Sequence, residues 1–124
     1  MRQQELILSG ILLGVKDKNS DITETAFRAL REGIPSILEL LKNNQYRDFL
    51  MTQIADAVRS GHMVDEGLQC LIEYVKHTFY LMTENYMQAF STLMDPFLTN
   101  PRQENHCILA MEFWATFAKE ENNI

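Results

Sequence analysis

The sequence holds only two cysteines, Cys70 and Cys107, too few for a disulfide framework or for a metal site built on thiolates. Both read as small apolar residues on helical core faces, which fits a reducing compartment. Positive charge is also scarce. Eleven Lys and Arg stand against 17 Asp and Glu, a net charge of −6, and no basic cluster occurs. That counts against nucleic acid and against an anionic membrane as partners. No apolar run is long enough to span a bilayer, the opening residues are not expected to be a targeting leader, and no Asn-X-Ser/Thr acceptor site occurs. A glycine-rich phosphate loop and a nucleophile elbow are missing as well. His62, His77 and His106 are scattered and are not expected to pair with a carboxylate or cysteine as metal ligands on one helix, and the adjacent His106 and Cys107 point to different faces. No catalytic residue, cofactor or metal is therefore expected, and the chain is not expected to be an enzyme. Met82, Met87 and Met94 read as gap-filling core residues.

What the sequence does contain is a hydrophobic share of 46%, enough for a folded domain, and a repeat that organises it. Gly67-Leu68-Gln69-Cys70-Leu71 has a counterpart 41 residues upstream, Ala26-Phe27-Arg28-Ala29-Leu30, and another 40 residues downstream, Cys107-Ile108-Leu109-Ala110-Met111. Each copy is small at its first and fourth positions and large and apolar at its second and fifth. A helical period near 40 residues marks HEAT or armadillo arrays. The expected fold is all-α: a short right-handed solenoid of three HEAT-type helical hairpins, six helices in one unit spanning residues 1–124, with hairpins at about 1–43, 44–82 and 83–124. The start inside a helical pattern and the polar end suggest a piece of a longer array.

The first helix is expected over residues 3–16, with Ile7, Ile11 and Val15 as its core stripe. Leu8 and Leu12 form a second apolar stripe with Ser9 beside it, more than one buried face needs. Asp21 with Glu24 suggests a capping box for a second helix reaching to about Lys42. Pro35 should break it near Ile34, with Ile37, Leu38 and Leu41 continuing the core face. The third helix, residues 45–60, carries Met51, Ile54, Ala55 and Val58 inward. Tyr46, Phe49 and Leu50 make a further patch, and the strip of Phe49 turns polar at Gln53 and Asp56. Gly61-His62 is a turn. The fourth helix, residues 64–80, offers Leu68, Leu71, Ile72, Val75 and Phe79. The fifth, residues 85–98, offers Tyr86, Phe90, Leu93, Met94 and Phe97, with its last turn bent by Pro96. Asn100-Pro101 with Gln103 signals the start of a sixth, which carries Ile108, Met111, Phe113, Trp114 and Phe117 and frays from Glu120.

Three stretches go beyond periodicity. Glu112-Phe113-Trp114 followed by Lys119-Glu120-Glu121, Phe79-Tyr80-Leu81-Met82 with Tyr86-Met87, and Arg47 with Phe49, Leu50 and Met51 all resemble, in order and spacing, segments of the importin-beta (karyopherin-beta) nuclear transport receptors. In that register the chain resembles the fifth to seventh repeats of a longer receptor. The resemblance implies a non-catalytic, armadillo-like helical protein that carries protein cargo through the nuclear pore, moving between cytoplasm and nucleus. It also implies that Phe-Gly repeats of nucleoporins bind in a groove between outer helices. Carried over position by position, the groove walls are Leu8, Ser9 and Leu12 from the first helix and Tyr46, Phe49 and Leu50 from the third. Tyr46 stands where the family usually has a glutamate, Ser9 where it has a threonine and Leu12 where it has an isoleucine; Pro35 departs from the family's regular inner helix. The groove between the third and fifth helices, including Phe90, is a second such place. The full-length receptors also bind importin-alpha or basic cargo segments on their inner helices and the GTPase Ran, chiefly on other repeats. The alternative is a HEAT scaffold subunit of another multiprotein complex, with a partner docked on the inner helices.

Overall fold

The computed structural model describes residues 2–61, 63–81, 84–99 and 104–122, and among them every regular element is helical. Helix α1 is Arg2–Val15 and α2 is Ser20–Gly33. A 3-10 turn, Ile34–Ile37, leads into the single turn α3, Leu38–Leu41. Then come α4, Asn44–Arg59, and α5, Val64–Thr78, which runs into a 3-10 turn at Phe79–Leu81. Helices α6, Glu84–Thr99, and α7, Glu104–Asn122, complete the chain. Helix α1 packs on α2, α4 on α5 and α6 on α7; α2 in turn packs on α5, and α5 on α7. The second helix of each pair thus stands in a row, α2, α5, α7, with its partner at its side.

In two of the pairs the small first position of the repeat lies where the helices meet. Ala26 of α2 faces Gly14 of α1, and a methyl placed on Gly14 would lie 2.8 Å from the Ala26 Cβ. Gly67 of α5 faces Val58 of α4 in the same way. This contact rotates α1 by one residue from the sequence expectation. Its buried stripe is Leu8, Leu12 and Val15, while Ile7 is exposed and Ile11 half-buried. The two stripes are about 100° apart and equally apolar, so the side taken by α2 decides between them.

Helix α2 begins one residue before Asp21. Asn19 is its cap: extended at φ −78° and ψ 120°, its side-chain oxygen accepts from the backbone N–H of Asp21 at 2.9 Å and of Ile22 at 3.4 Å. This replaces the expected Asp21–Glu24 box; Glu24 instead lies 3.5 Å from Arg28. The break at Pro35 is as expected, with Ile34 closing α2 through an N–H bond to the Leu30 carbonyl before the tighter turn starts. Ile37 and Leu41 are buried beyond it and Leu38 is half-buried. Asn44 belongs to α4, capped by Asn43 through a bond to the Gln45 N–H. On α4 the buried set is Arg47, Leu50, Ile54, Ala55 and Val58, and Met51 is only half-buried. Gly61 turns the chain at φ 80°, where a side chain would be strained, and Met63 follows in the left-handed region at φ 59°. Pro96 lies in the last turn of α6, which continues to Thr99. An aromatic cluster joins the far end: Phe79 meets Phe117 edge-on at 5.0 Å, and Phe90 meets Phe113 at 4.9 Å. His62 of the expected turn, Met82 and the Asn100-Pro101-Gln103 start signal lie outside the described residues.

Candidate functional site

The residues expected to wall a groove between α1 and α4 divide into two groups. Leu8, Leu12 and Leu50 are 3%, 6% and 0% exposed and join the core. Ser9 and Phe49 lie on the surface, and Tyr46 is half-buried. Polar side chains close over the space: the Tyr46 hydroxyl donates to Glu5 at 3.0 Å, and the Lys16 ammonium sits 5.9 Å from the centre of the Phe49 ring. That hydrogen bond to a carboxylate pushes the Tyr46 phenol up from its ordinary value, with smaller contributions from burial and from the Glu5 charge. Leu8, Leu12 and Leu50 therefore offer a ligand almost no surface. Leu8 and Leu12 face inward on the side of α1 where Gly14 meets Ala26, and of the expected wall residues Ser9, Tyr46 and Phe49 keep surface.

An open space lies one pair further on, between α4 and α6. It measures about 560 Å³ and is lined by Asn44, Arg47, Asp48, Met51, Thr52, Ala55 and Arg59 from α4 and by Tyr86 and Ala89 from α6. That volume falls in the range of about 300 to 1,000 Å³ common for ligand clefts. Met51, Ala55 and Ala89 make an apolar floor, and helical spacing explains it: Met51 and Ala55 are four residues apart on α4. At one edge Tyr86 donates its hydroxyl to Asp48 at 2.7 Å. Burial, with this bond next in effect, raises the Tyr86 phenol from its ordinary value.

Arg47 sits at the base of this cleft and is buried. Its guanidinium donates to the carbonyls of Leu41 and Lys42, each at 3.0 Å, and to the Asn44 side chain. It thereby satisfies the carbonyls at the end of α3, the groups a short helix leaves orphaned. The Arg47 Nε and the buried Tyr74 hydroxyl have no hydrogen-bond partner among the described residues. Desolvation dominates at Tyr74, and its phenol is held well above the ordinary value, so it stays protonated. Sequence reading included Phe90 in this second cleft, but Phe90 is wholly buried in the aromatic cluster. Tyr86, half-buried one turn earlier, takes that place. The missed signal was the pair Tyr86–Asp48, 38 residues apart and so invisible to helical spacing.

A smaller cleft of about 210 Å³ lies between α2 and α5, edged by Glu24, Arg28, Arg31, Glu66 and Gln69, with Arg31 donating to Gln69. Contrary to the sequence expectation, His77 lies 3.6 Å from Glu73, four residues earlier on α5, but among the described residues no three His, Cys, Asp or Glu side chains gather as a metal site would need, and no helix is long and apolar enough to cross a membrane. No known protein family, curated protein or solved structure matches this chain.

Proposed function

We propose that this chain is a non-catalytic protein-binding module of stacked helical hairpins, and that it holds an extended, phenylalanine-bearing peptide in the cleft between α4 and α6. The observation that carries this reading is the cleft itself: Met51, Ala55 and Ala89 line it together with the polar side chains of α4 and with Tyr86 of α6. Peptide sites need both kinds of group, because side-chain burial supplies affinity while polar groups hold the backbone. The finer reading follows the resemblance to importin-beta: the peptide is a Phe-Gly repeat of a nucleoporin, and the parent protein is a nuclear import receptor moving between cytoplasm and nucleus. Burying one phenylalanine contributes about 1.5–3 kcal/mol, from which the ordering of a flexible peptide subtracts. One repeat therefore binds weakly and exchanges fast, and many repeats on several clefts give avidity without slow release.

Fluorescence anisotropy of a labelled multi-repeat Phe-Gly peptide tests it. Binding by the parent chain that is lost in Ala89→Glu, with helicity unchanged, supports the cleft. Equal binding by both proteins moves the site to α1 and α4. No binding at all removes the nucleoporin reading. A scaffold function would then rest on the cleft between α2 and α5, whose charged edges suit a polar partner.

A further inference from the structure

Building on the reading of the α4–α6 cleft as a peptide site, we infer that the bound peptide places a carboxylate against Arg47, two residues from its phenylalanine.

The chain as a whole is acidic, with a net charge of −6. The cleft runs against that sign. Arg47 and Arg59 line it, and Asp48 is the one carboxylate among its described lining residues. Asp48 is already engaged, accepting from the Tyr86 hydroxyl at 2.7 Å. Arg59 is exposed and lies 3.7 Å from Asp56.

Arg47 is the unusual group. It is only 5% exposed, yet among the described residues it has no ion-pair partner. Its hydrogen bonds all go to neutral acceptors, the Leu41 and Lys42 carbonyls and the Asn44 side chain, and its Nε has none. A buried cation is ordinarily matched by an anion, because losing water penalises an isolated charge heavily. A carboxylate brought into the cleft supplies that anion. The buried Tyr74 hydroxyl lies within electrostatic reach of both Arg47 and Tyr86, so the same neighbourhood holds a second donor without an acceptor.

Helical spacing sets where the carboxylate stands in the peptide. Met51 follows Arg47 by four residues, about 6 Å along α4. An extended peptide covers about 7 Å in two residues. With the phenylalanine on Met51 and Ala55, an Asp or Glu two residues away reaches Arg47. So does the C-terminal carboxylate of a peptide that ends there.

Fluorescence anisotropy at one fixed ionic strength, with labelled Gly/Ser peptides that each hold a single phenylalanine, tests this on the intact chain. In amidated peptides, Glu two residues before or after the phenylalanine is expected to bind about tenfold tighter than Gln in the same place. Moving that Glu to the far end of the peptide, at unchanged net charge, should cancel the gain. A peptide ending two residues after the phenylalanine, as free acid and as amide, tells a terminal carboxylate from a side chain. Arg47→Gln with helicity retained should bring the Glu and Gln peptides to near equality, and Arg47→Lys should restore part of the preference. If Arg47→Gln loses helicity, the peptide comparisons on the parent chain decide alone. Equal binding of acidic and neutral peptides by the parent overturns the inference and leaves the peptide site standing, as does a preference that Arg47→Gln leaves intact. Failure of every peptide to bind overturns both.

Discussion

Cys70 and Phe27 are 43 residues apart in sequence, yet the Cys70 thiol donates to the Phe27 carbonyl at 3.2 Å, joining α5 to α2. Burial pushes this thiol up to about 12 from a starting value of 9.0, the nearby Arg31 pulling it back only in part. It is therefore protonated and unreactive in the folded chain. Iodoacetamide under native conditions is expected to modify Cys107, which is half-buried, and to reach Cys70 only on unfolding. Mass spectrometry of the labelled chain checks this; rapid native labelling of Cys70 would contradict the packing.

The same shift sets a pH dependence. The unfolded thiol loses its proton near pH 9 while the folded one keeps its own to about pH 12, so the unfolded state binds fewer protons across that window. Stability is then full below pH 9 and falls as pH rises towards 12. The raised phenols of Tyr74 and Tyr86 act in the same direction at higher pH. Urea midpoints at pH 8 and pH 10.5 should differ, and Cys70→Ala should narrow the difference.

Gly67 offers a steric test. A methyl placed there would stand 2.6 Å from the Val58 Cγ2 and 3.8 Å from the Ile54 carbonyl, so α4 and α5 must separate to admit it. Gly67→Ala should lose about 1–3 kcal/mol despite the better helix propensity of alanine. Gly10→Ala, where nothing lies within 4 Å, should gain stability instead. Chemical denaturation of both variants separates packing from propensity.

Arg47 and Arg28 should behave oppositely on truncation. Arg47→Met leaves the Leu41 and Lys42 carbonyls without their donor in a buried place and should cost about 1–3 kcal/mol. Arg28→Ala removes only the exposed pair with Glu24 and should cost less than about 0.5 kcal/mol. Equal losses in thermal unfolding would refute the capping role of Arg47.

These particulars show what was legible in the sequence. The break at Pro35 followed from a missing donor; of the apolar set read for the last helix, Phe113 and Phe117 are buried while Ile108 and Met111 are exposed. The repeat marked Ala26 and Gly67 as small, but neither their close approach to neighbouring helices nor the partners Gly14 and Val58 could be read from it. The inward stripe of α1 was hidden because Ile7–Ile11 and Leu8–Leu12 satisfy helical spacing equally well. Only the packing of α2 on Gly14 decides between them. The cap at Asn19 was missed because Asp21 and Glu24 also match a capping pattern. The cleft between α4 and α6 depends on how far two helices diverge, and no residue spacing encodes that distance.

The claim that a phenylalanine-bearing peptide lies between α4 and α6 is tested most directly by amide NMR. A Phe-Gly repeat peptide is titrated into the labelled chain beside a control peptide with each phenylalanine replaced by serine. The account predicts fast-exchange shifts that centre on Thr52, Ala55, Tyr86 and Ala89 and vanish with the serine control. Shifts centred on Ser9 and Phe49, or identical shifts with both peptides, would contradict it.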